Sequence, residues 1–384
     1  MKRLLTGLGA CLMITPLLIL PVTAAPIVPT PQEAQAVAFM QQSEDWFIAH
    51  LKGPREVSEG QMLDPRLQFV LENVTRPAAT PEIKAQMRAV YGSEAGRAAT
   101  RTALDRYWAT RTAPTEGVLS TDQTLKTRDG EIAVRIFVPA ELQGAKKAPV
   151  LIYYHGGGFM FGGINAFDPS LRAMARAAQV IIVAPAYRLA PEHPYPAAHN
   201  DAEDTWLWVR QNAAAFGGDP ERIALGGDSA GGTLALSVSL RQLKAQKPLP
   251  AALLLYYPGV DRVNAYPSNK ELATGYGLDA DNLEYLAAQV YPTTGPATTS
   301  EDTSPMQAEL KGLPPVIIAS AGFDPLKDSQ RAFADRLEVA KVKVTRRHYP
   351  SLIHAYLQTT AYVPAARDGT HEPAVLLGDT LRAR

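Results

Sequence analysis

The chain has 384 residues, of which 46% are hydrophobic and 20% charged, the composition of a folded protein with ample length for a large core. Lys plus Arg and Asp plus Glu each total 38, so the net charge is near zero and no cationic excess is available to recruit a polyanion. Nucleic acid is excluded as an expected partner on that ground.

The first residues, MKRLLTGLGACLMITPLLILPVTAAP, run from two cations through an apolar stretch to small residues, the layout of an export signal. Val22-Thr23-Ala24 supplies a small-residue recognition site. Residues 1–24 are therefore read as a signal peptide, and the mature protein as exported, periplasmic or secreted. No stable membrane span is expected, because Pro16 and Pro21 interrupt a run already short for crossing a bilayer. The single cysteine, Cys11, lies in this segment, which leaves the mature chain without a disulfide or a thiol nucleophile. Leu8-Gly9-Ala10-Cys11 resembles a lipoprotein processing site, but most of the apolar segment follows it, which disfavours lipidation.

Residues 25–118 read as helical and polar. In AVAFMQQSEDWFIAHL and IKAQMRAVYGSEAGRAATRTALDRYWA, apolar residues recur at spacings of three and four. Beyond an Ala/Pro/Thr-rich joint near 113 the period changes. TLKTRDGEIAVRIFVPA alternates apolar and polar residues about Asp129-Gly130, a hairpin signal.

From 119 to 384 short apolar runs alternate with longer amphipathic ones. APVLIYYHG, QVIIVAPAY, RIALGGDS, AALLLYYP, PPVIIASAG and VKVTRRHYP read as strands, and the pieces near 168–178, 200–215, 230–246 and 328–340 as helices. Strands apolar throughout and joined by helices predict an α/β fold, a mostly parallel central sheet covered on both faces. Working residues in such sheets gather at the carboxyl ends of the strands. The Pro/Thr-rich patch at 291–305 reads as a loop over the sheet.

One strand end stands out. RIALGG runs into Gly227-Asp228-Ser229-Ala230-Gly231 and then the apolar stretch GTLALSVSLRQL. A strand that turns into a helix within a residue or two needs small neighbours, and the turn presents the Ser229 hydroxyl at the head of a helix. A phosphate-binding loop would need Gly-Lys followed by Ser or Thr, or a place in the first strand-helix unit, and this stretch has neither. A hydroxyl is a weak nucleophile until a base takes its proton, so a histidine and an orienting acid are expected later in the chain. Asp324 closes the strand PPVIIASAGF, and His354 follows VKVTRRHY in the loop begun by Pro350. Asp328 is the competing acid but reads as the cap of the next helix; His348 is the competing base but belongs to the alternating strand. Acyl transfer also needs donors for a tetrahedral oxyanion. Gly156, Gly157 and Gly158 follow the strand APVLIYY, and their bare amides together with that of Ala230 form the candidate oxyanion hole.

Taken together, HGGGF at 155–159, YRLAPEHPYPAA at 187–198, GDSAGG at 227–232, DPLKD at 324–328 and His354 resemble the hormone-sensitive lipase family of α/β-hydrolases, over residues 120–360. The resemblance implies Ser229 as nucleophile, His354 as base and Asp324 as orienting acid. It also implies an N-terminal helical cap over the site, a small-molecule ester substrate, and no metal or organic cofactor. YRLAPEHPYPAA, with Asp201 and Glu203 after it, is then expected to buttress the HGGG turn. Two departures bear on pocket shape: Ala355-Tyr356 stands after the histidine where the family often has glycine and phenylalanine, and DPLKDSQ lacks the usual acid after its second aspartate. The expected activity is that of a serine carboxylesterase on short to medium acyl esters. The same machinery serves amides, lactones or acetylated sugars, and a non-catalytic ligand-binding protein on the same scaffold is the reading from another class.

Overall fold

The computed structural model describes residues 26–291 and 300–383. The leader with Ala24 and Cys11 lies outside them, as does most of the Pro/Thr-rich patch.

The N-terminal part contains α1 (Pro31–Phe39), α2 (Glu44–Ala49), a short hairpin of β1 (Val57–Ser58) and β2 (Gln61–Met62), α3 (Pro65–Val70), α4 (Pro81–Tyr91) and α5 (Glu94–Arg111). The helix starts are written locally. Thr30, Ser43, Asp64, Thr80 and Ser93 each accept an amide from two or three residues ahead, and Pro31, Pro65 and Pro81 stand just inside three of the helices. The hairpin departs from the all-helical expectation. Its loop residues Glu59 and Gly60 carry φ of 51° and 75°, the left-handed pair that a two-residue turn requires.

The main sheet has eight strands: β3 (Val118–Thr127), β4 (Gly130–Pro139), β5 (Ala148–Tyr154), β6 (Ile181–Pro185), β7 (Gly218–Asp228), β8 (Leu253–Tyr256), β9 (Val316–Phe323) and β10 (Val344–Ile353). Their spatial order is β10-β9-β8-β7-β5-β6-β4-β3. The β3–β4 and β4–β6 pairs are antiparallel and the rest parallel. Thr127 pairs with Gly130, so the β3–β4 turn is Arg128-Asp129, one residue earlier than the sequence placed it. The last strand continues past Pro350 to Ile353 with a slip in register after Tyr349, where a loop was expected. The β1–β2 hairpin lies beside this edge strand. His348 Nε2 is 3.0 Å from Gln61 Oε1, and the Asp64 amide donates to the Ser351 carbonyl at 3.0 Å, which covers otherwise unpaired backbone.

Helices α6 (Ile164–Ala178) and α12 (Pro364–Arg382) pack on one face, and α7 (Ala197–Asn212), α8 (Ala230–Lys244) and α11 (Lys327–Val339) on the other. Along β5, Val150, Ile152 and Tyr154 enter one core while Leu151 and Tyr153 enter the other. The strand alternates between two buried faces, which is why it reads as an unbroken apolar run.

Two helices follow β8: α9 (Pro267–Glu271), bonded to Pro325 and Asp328 at the start of α11, and α10 (Ala280–Val290), which with the loop before it is part of the layer built by the N-terminal helices. Lys84 on α4 bonds Asp279 at 2.8 Å and Asp281 at 3.0 Å, and Arg76 donates to the Gly275 carbonyl at 3.1 Å. The layer above the sheet is thus made from two separate stretches of sequence, the second inside the region read as sheet domain alone.

Candidate active site

Strand β7 ends at Asp228 and α8 begins at Ala230, so Ser229 alone reverses the chain, with φ 51° and ψ −116°. A non-glycine residue in that conformation is strained and is held there by its surroundings. The surroundings are close: a Cβ on Gly231 would lie 1.8 Å from the Tyr154 carbonyl oxygen, and one on Gly227 would lie 2.3 Å from the Gly231 carbonyl carbon. The glycines are there because backbone segments touch at the elbow.

The sheet brings three distant residues to this turn. Ser229 Oγ is 3.0 Å from His354 Nε2, and His354 Nδ1 is 2.9 Å from Asp324 Oδ2. His354 follows β10 directly and Asp324 follows β9, so both stand at carboxyl strand ends beside the elbow. Asp324 is fully buried and His354 nearly so. The competitors lie elsewhere. His348 bonds Ser320 and Gln61 at the sheet edge. Asp328 does not cap α11, which starts at Lys327 without a side-chain cap; its carboxylate instead accepts the Ser268 amide at 2.9 Å and pairs with Arg331.

The candidate oxyanion residues separate. The Gly156 amide donates to Asp228 Oδ1 at 2.9 Å, so it is occupied and drops out of the set. The amides of Gly157 and Gly158 have no acceptor among the described residues, and that of Ala230 opens a helix, where amides lack intrahelical partners. Gly157 takes φ 119°, and a Cβ there would meet the Phe161 carbonyl oxygen at 2.1 Å.

Asp228, the residue before the candidate nucleophile, carries no role in the sequence reading although it lies inside the motif. Its Oδ1 accepts from the Tyr153 hydroxyl at 3.1 Å as well as from Gly156. Burial pushes its carboxyl up to about 7, against the opposing pull of those two donors and of His354.

The YRLAPEHPYPAA stretch also contacts the oxyanion loop. The Tyr187 hydroxyl donates to the His155 carbonyl at 2.7 Å, its ring stacks on the His155 ring at 4.3 Å, and the Ala190 amide donates to the Phe159 carbonyl at 2.9 Å. Burial lowers His155 to about 4, so the imidazole is neutral near pH 7. Asp201 and Glu203 act farther out, on Arg188 and on Arg241. Glu192 joins this stretch to α5, accepting Arg97 Nε at 2.6 Å and Arg101 Nη2 at 2.8 Å. Arg101 also donates to the carbonyls of Met160 and Ala190. Burial would raise the Glu192 carboxyl, but hydrogen bonds from Arg101 and Arg97 outweigh it and hold it at about 2. No sequence signal marks this triangle, since Arg101 and Glu192 are 91 residues apart.

Among the described residues no group of His, Cys, Asp or Glu could hold a metal ion, and no helix is long and apolar enough to cross a membrane.

A family model described as the α/β-hydrolase fold matches residues 151–358. The chain is 38% identical over 260 residues to carboxylesterase NlhH of Mycobacterium tuberculosis, covering 66% of this chain and 80% of that one. It is 33% identical over 334 residues to carboxylic ester hydrolase LipN of the same organism, covering 83% and 84%. Among solved structures, a thermostable esterase from Pseudomonas putida superposes with a TM-score of 0.76 at 26% identity, covering 85% of this chain and 99% of that one.

Proposed function

This chain belongs to the hormone-sensitive lipase family of α/β-hydrolases, and from that premise we propose that it is a serine carboxylesterase for acyl esters of short to medium length. The observation that carries the reading is the unbroken relay from Ser229 Oγ through the imidazole of His354 to the carboxylate of Asp324, at 3.0 Å and 2.9 Å. In it, His354 Nε2 takes the hydroxyl proton as Ser229 Oγ attacks the ester carbonyl, while Asp324 keeps Nδ1 protonated and stabilises the imidazolium. The amides of Gly157, Gly158 and Ala230 receive the oxyanion. His354 returns the proton to the departing alcohol, and water then attacks the acyl-enzyme by the same route to release the acid.

A series of 4-nitrophenyl esters of increasing acyl length tests this, with Ser229→Ala as control. Turnover of the shorter esters that vanishes in the variant is the expected result; turnover that survives it defeats the reading. A fluorophosphonate probe should label Ser229 in the wild-type protein, and an unlabelled serine would point to a binding protein instead. We also propose that the protein is exported and its leader cleaved after Ala24, on the cation, apolar and small-residue order of residues 1–24. Amino-terminal sequencing of protein from the envelope and the medium checks that, and a chain still beginning at Met1 would refute it.

A further inference from the structure

An aspartate can orient an imidazole only if the aspartate is itself held. Asp324 Oδ1 accepts from the Leu326 amide at 2.8 Å. Its Oδ2 accepts two donors, His354 Nδ1 at 2.9 Å and the side-chain amide Nε2 of Gln330 at 3.2 Å. Gln330 lies one turn into α11 and is 1% exposed. The amide orientation is fixed by chemistry, because turning Oε1 toward the carboxylate would oppose two acceptors.

The other end of that amide is unsatisfied. Gln330 Oε1 is buried and has no hydrogen-bond partner among the described residues, although the residue borders a cleft of about 250 Å³ at the sheet edge, shared with Ser320, Lys327, Arg331 and His348. A buried amide oxygen without a partner weakens the fold. Methionine would fill similar space without that cost, so packing gives no reason for an amide at position 330. The contact with Asp324 does.

We propose that Gln330 is a positioning residue of the relay: its Nε2–H holds Asp324 Oδ2 in place to receive the His354 Nδ1–H and draws part of the carboxylate charge away from the imidazole. The proposal rests on the reading of Ser229, His354 and Asp324 as the working triad. Sequence gives no hint of it, because position 330 lies beyond the DPLKD motif and meets Asp324 only through the first turn of α11.

The test compares wild type with Gln330→Met and Gln330→Glu as full chains. Met removes the donor at similar volume, and Glu adds a second carboxyl beside Asp324. In Gln330→Met, kcat on 4-nitrophenyl butyrate should fall about tenfold with KM within about twofold, and the melting temperature should stay within about 3 °C of wild type. The acid limb of kcat/KM should move to higher pH in the order Gln, Met, Glu, as more negative charge is left facing the imidazole. The other groups around His354 are Ser229, Asp324, the Tyr257 ring at 4.8 Å and, electrostatically, Asp228; all are common to the three proteins. The far-downfield proton resonance of the His354–Asp324 hydrogen bond, identified by its loss in Asp324→Asn, should shift in Gln330→Met without any need for turnover. A wild-type kcat in Gln330→Met, or a loss of kcat with neither the acid limb nor the resonance moved, overturns the proposal. Should the wild-type protein fail to turn over esters, the functional reading falls while the resonance still decides the role of Gln330.

Discussion

Asp228 Oδ1 accepts the Gly156 amide at 2.9 Å, so the residue before the proposed nucleophile anchors the first glycine of the proposed oxyanion loop. The elbow and the loop are thereby positioned against each other by one side chain.

Removing that side chain should uncouple them. Asp228→Ala leaves two buried donors, the Gly156 amide and the Tyr153 hydroxyl, without their acceptor, at a cost of about 2–4 kcal/mol in stability, and should lower kcat roughly 100-fold by loosening the oxyanion donors. Asp228→Asn keeps an acceptor for both, so its kcat should stay within about tenfold of wild type. It should also change the pH dependence of stability. The folded-state carboxyl sits at about 7, above its ordinary 3.8. Between those values the native state holds a proton that the unfolded state has lost, and stability falls as pH rises through that window. Urea unfolding at pH 5 and pH 8 should show Asn flattening the fall, by on the order of 3 kcal/mol; an unchanged slope would contradict the assignment.

The triangle of Arg97, Arg101 and Glu192 predicts that the N-terminal helical layer influences catalysis. Arg101→Met removes donors to the carbonyls of Met160 and Ala190 and to Glu192. Hydrogen exchange in α5 should rise, and kcat/KM should fall about 3- to 30-fold through a loop that places the oxyanion glycines. Glu192→Gln should lose less, and the double variant should show a coupling of about 1 kcal/mol, since these groups are partly exposed. Strict additivity would mean that the triangle is ornamental to the site.

What could be read in advance divides by the range of the interaction. The GDSAGG elbow and the apolar strands are local patterns, so the sheet and the candidate nucleophile were legible, whereas the one cap read from the sequence, Asp328, does not cap α11. Asp324 and His354 were found because mechanism demands a base and an acid and the sheet rule says where they stand. The contacts that tune the site were not legible. Gln330 meets Asp324, and Glu192 meets Arg101, only because of how helices are set on the sheet. Gly156 was misread for a related reason: a bare amide looks available until the fold delivers Asp228 to it. The β1–β2 hairpin carried its signal in Glu59-Gly60, but two-residue strands are too short to alternate visibly.

Gly231→Ala should be among the most damaging single-methyl additions in the chain. The new Cβ would meet a backbone carbonyl oxygen at 1.8 Å, and no side chain can swing away to relieve it. The strand end or the helix start must move, which should cost more than about 3 kcal/mol and displace Ser229 from His354. The urea midpoint should drop and fluorophosphonate labelling of Ser229 should slow; a variant near wild type in both would show that the elbow is looser than its geometry.

Asp105 offers a pH test inside the N-terminal helical layer. It lies on α5 against Gly163, the residue that opens α6 without a side-chain cap, and its Oδ1 is buried with no partner among the described residues. Burial raises its carboxyl to about 6, with Arg101 pulling weakly the other way. Because the folded-state value lies above the ordinary 3.8, the native state is favoured by keeping this proton, and the advantage is lost as pH rises through about 6. Above that pH the fold carries a half-buried charge that asparagine would not. Asp105→Asn should therefore be neutral below about pH 4 and stabilising by on the order of 1 kcal/mol at pH 8, a value reduced from full burial because solvent reaches part of the group. Urea unfolding at pH 4, 6 and 8 measures the difference directly. A gain that is constant across the three would mean the carboxylate is compensated in the native state and that the α5–α6 contact carries no pH dependence.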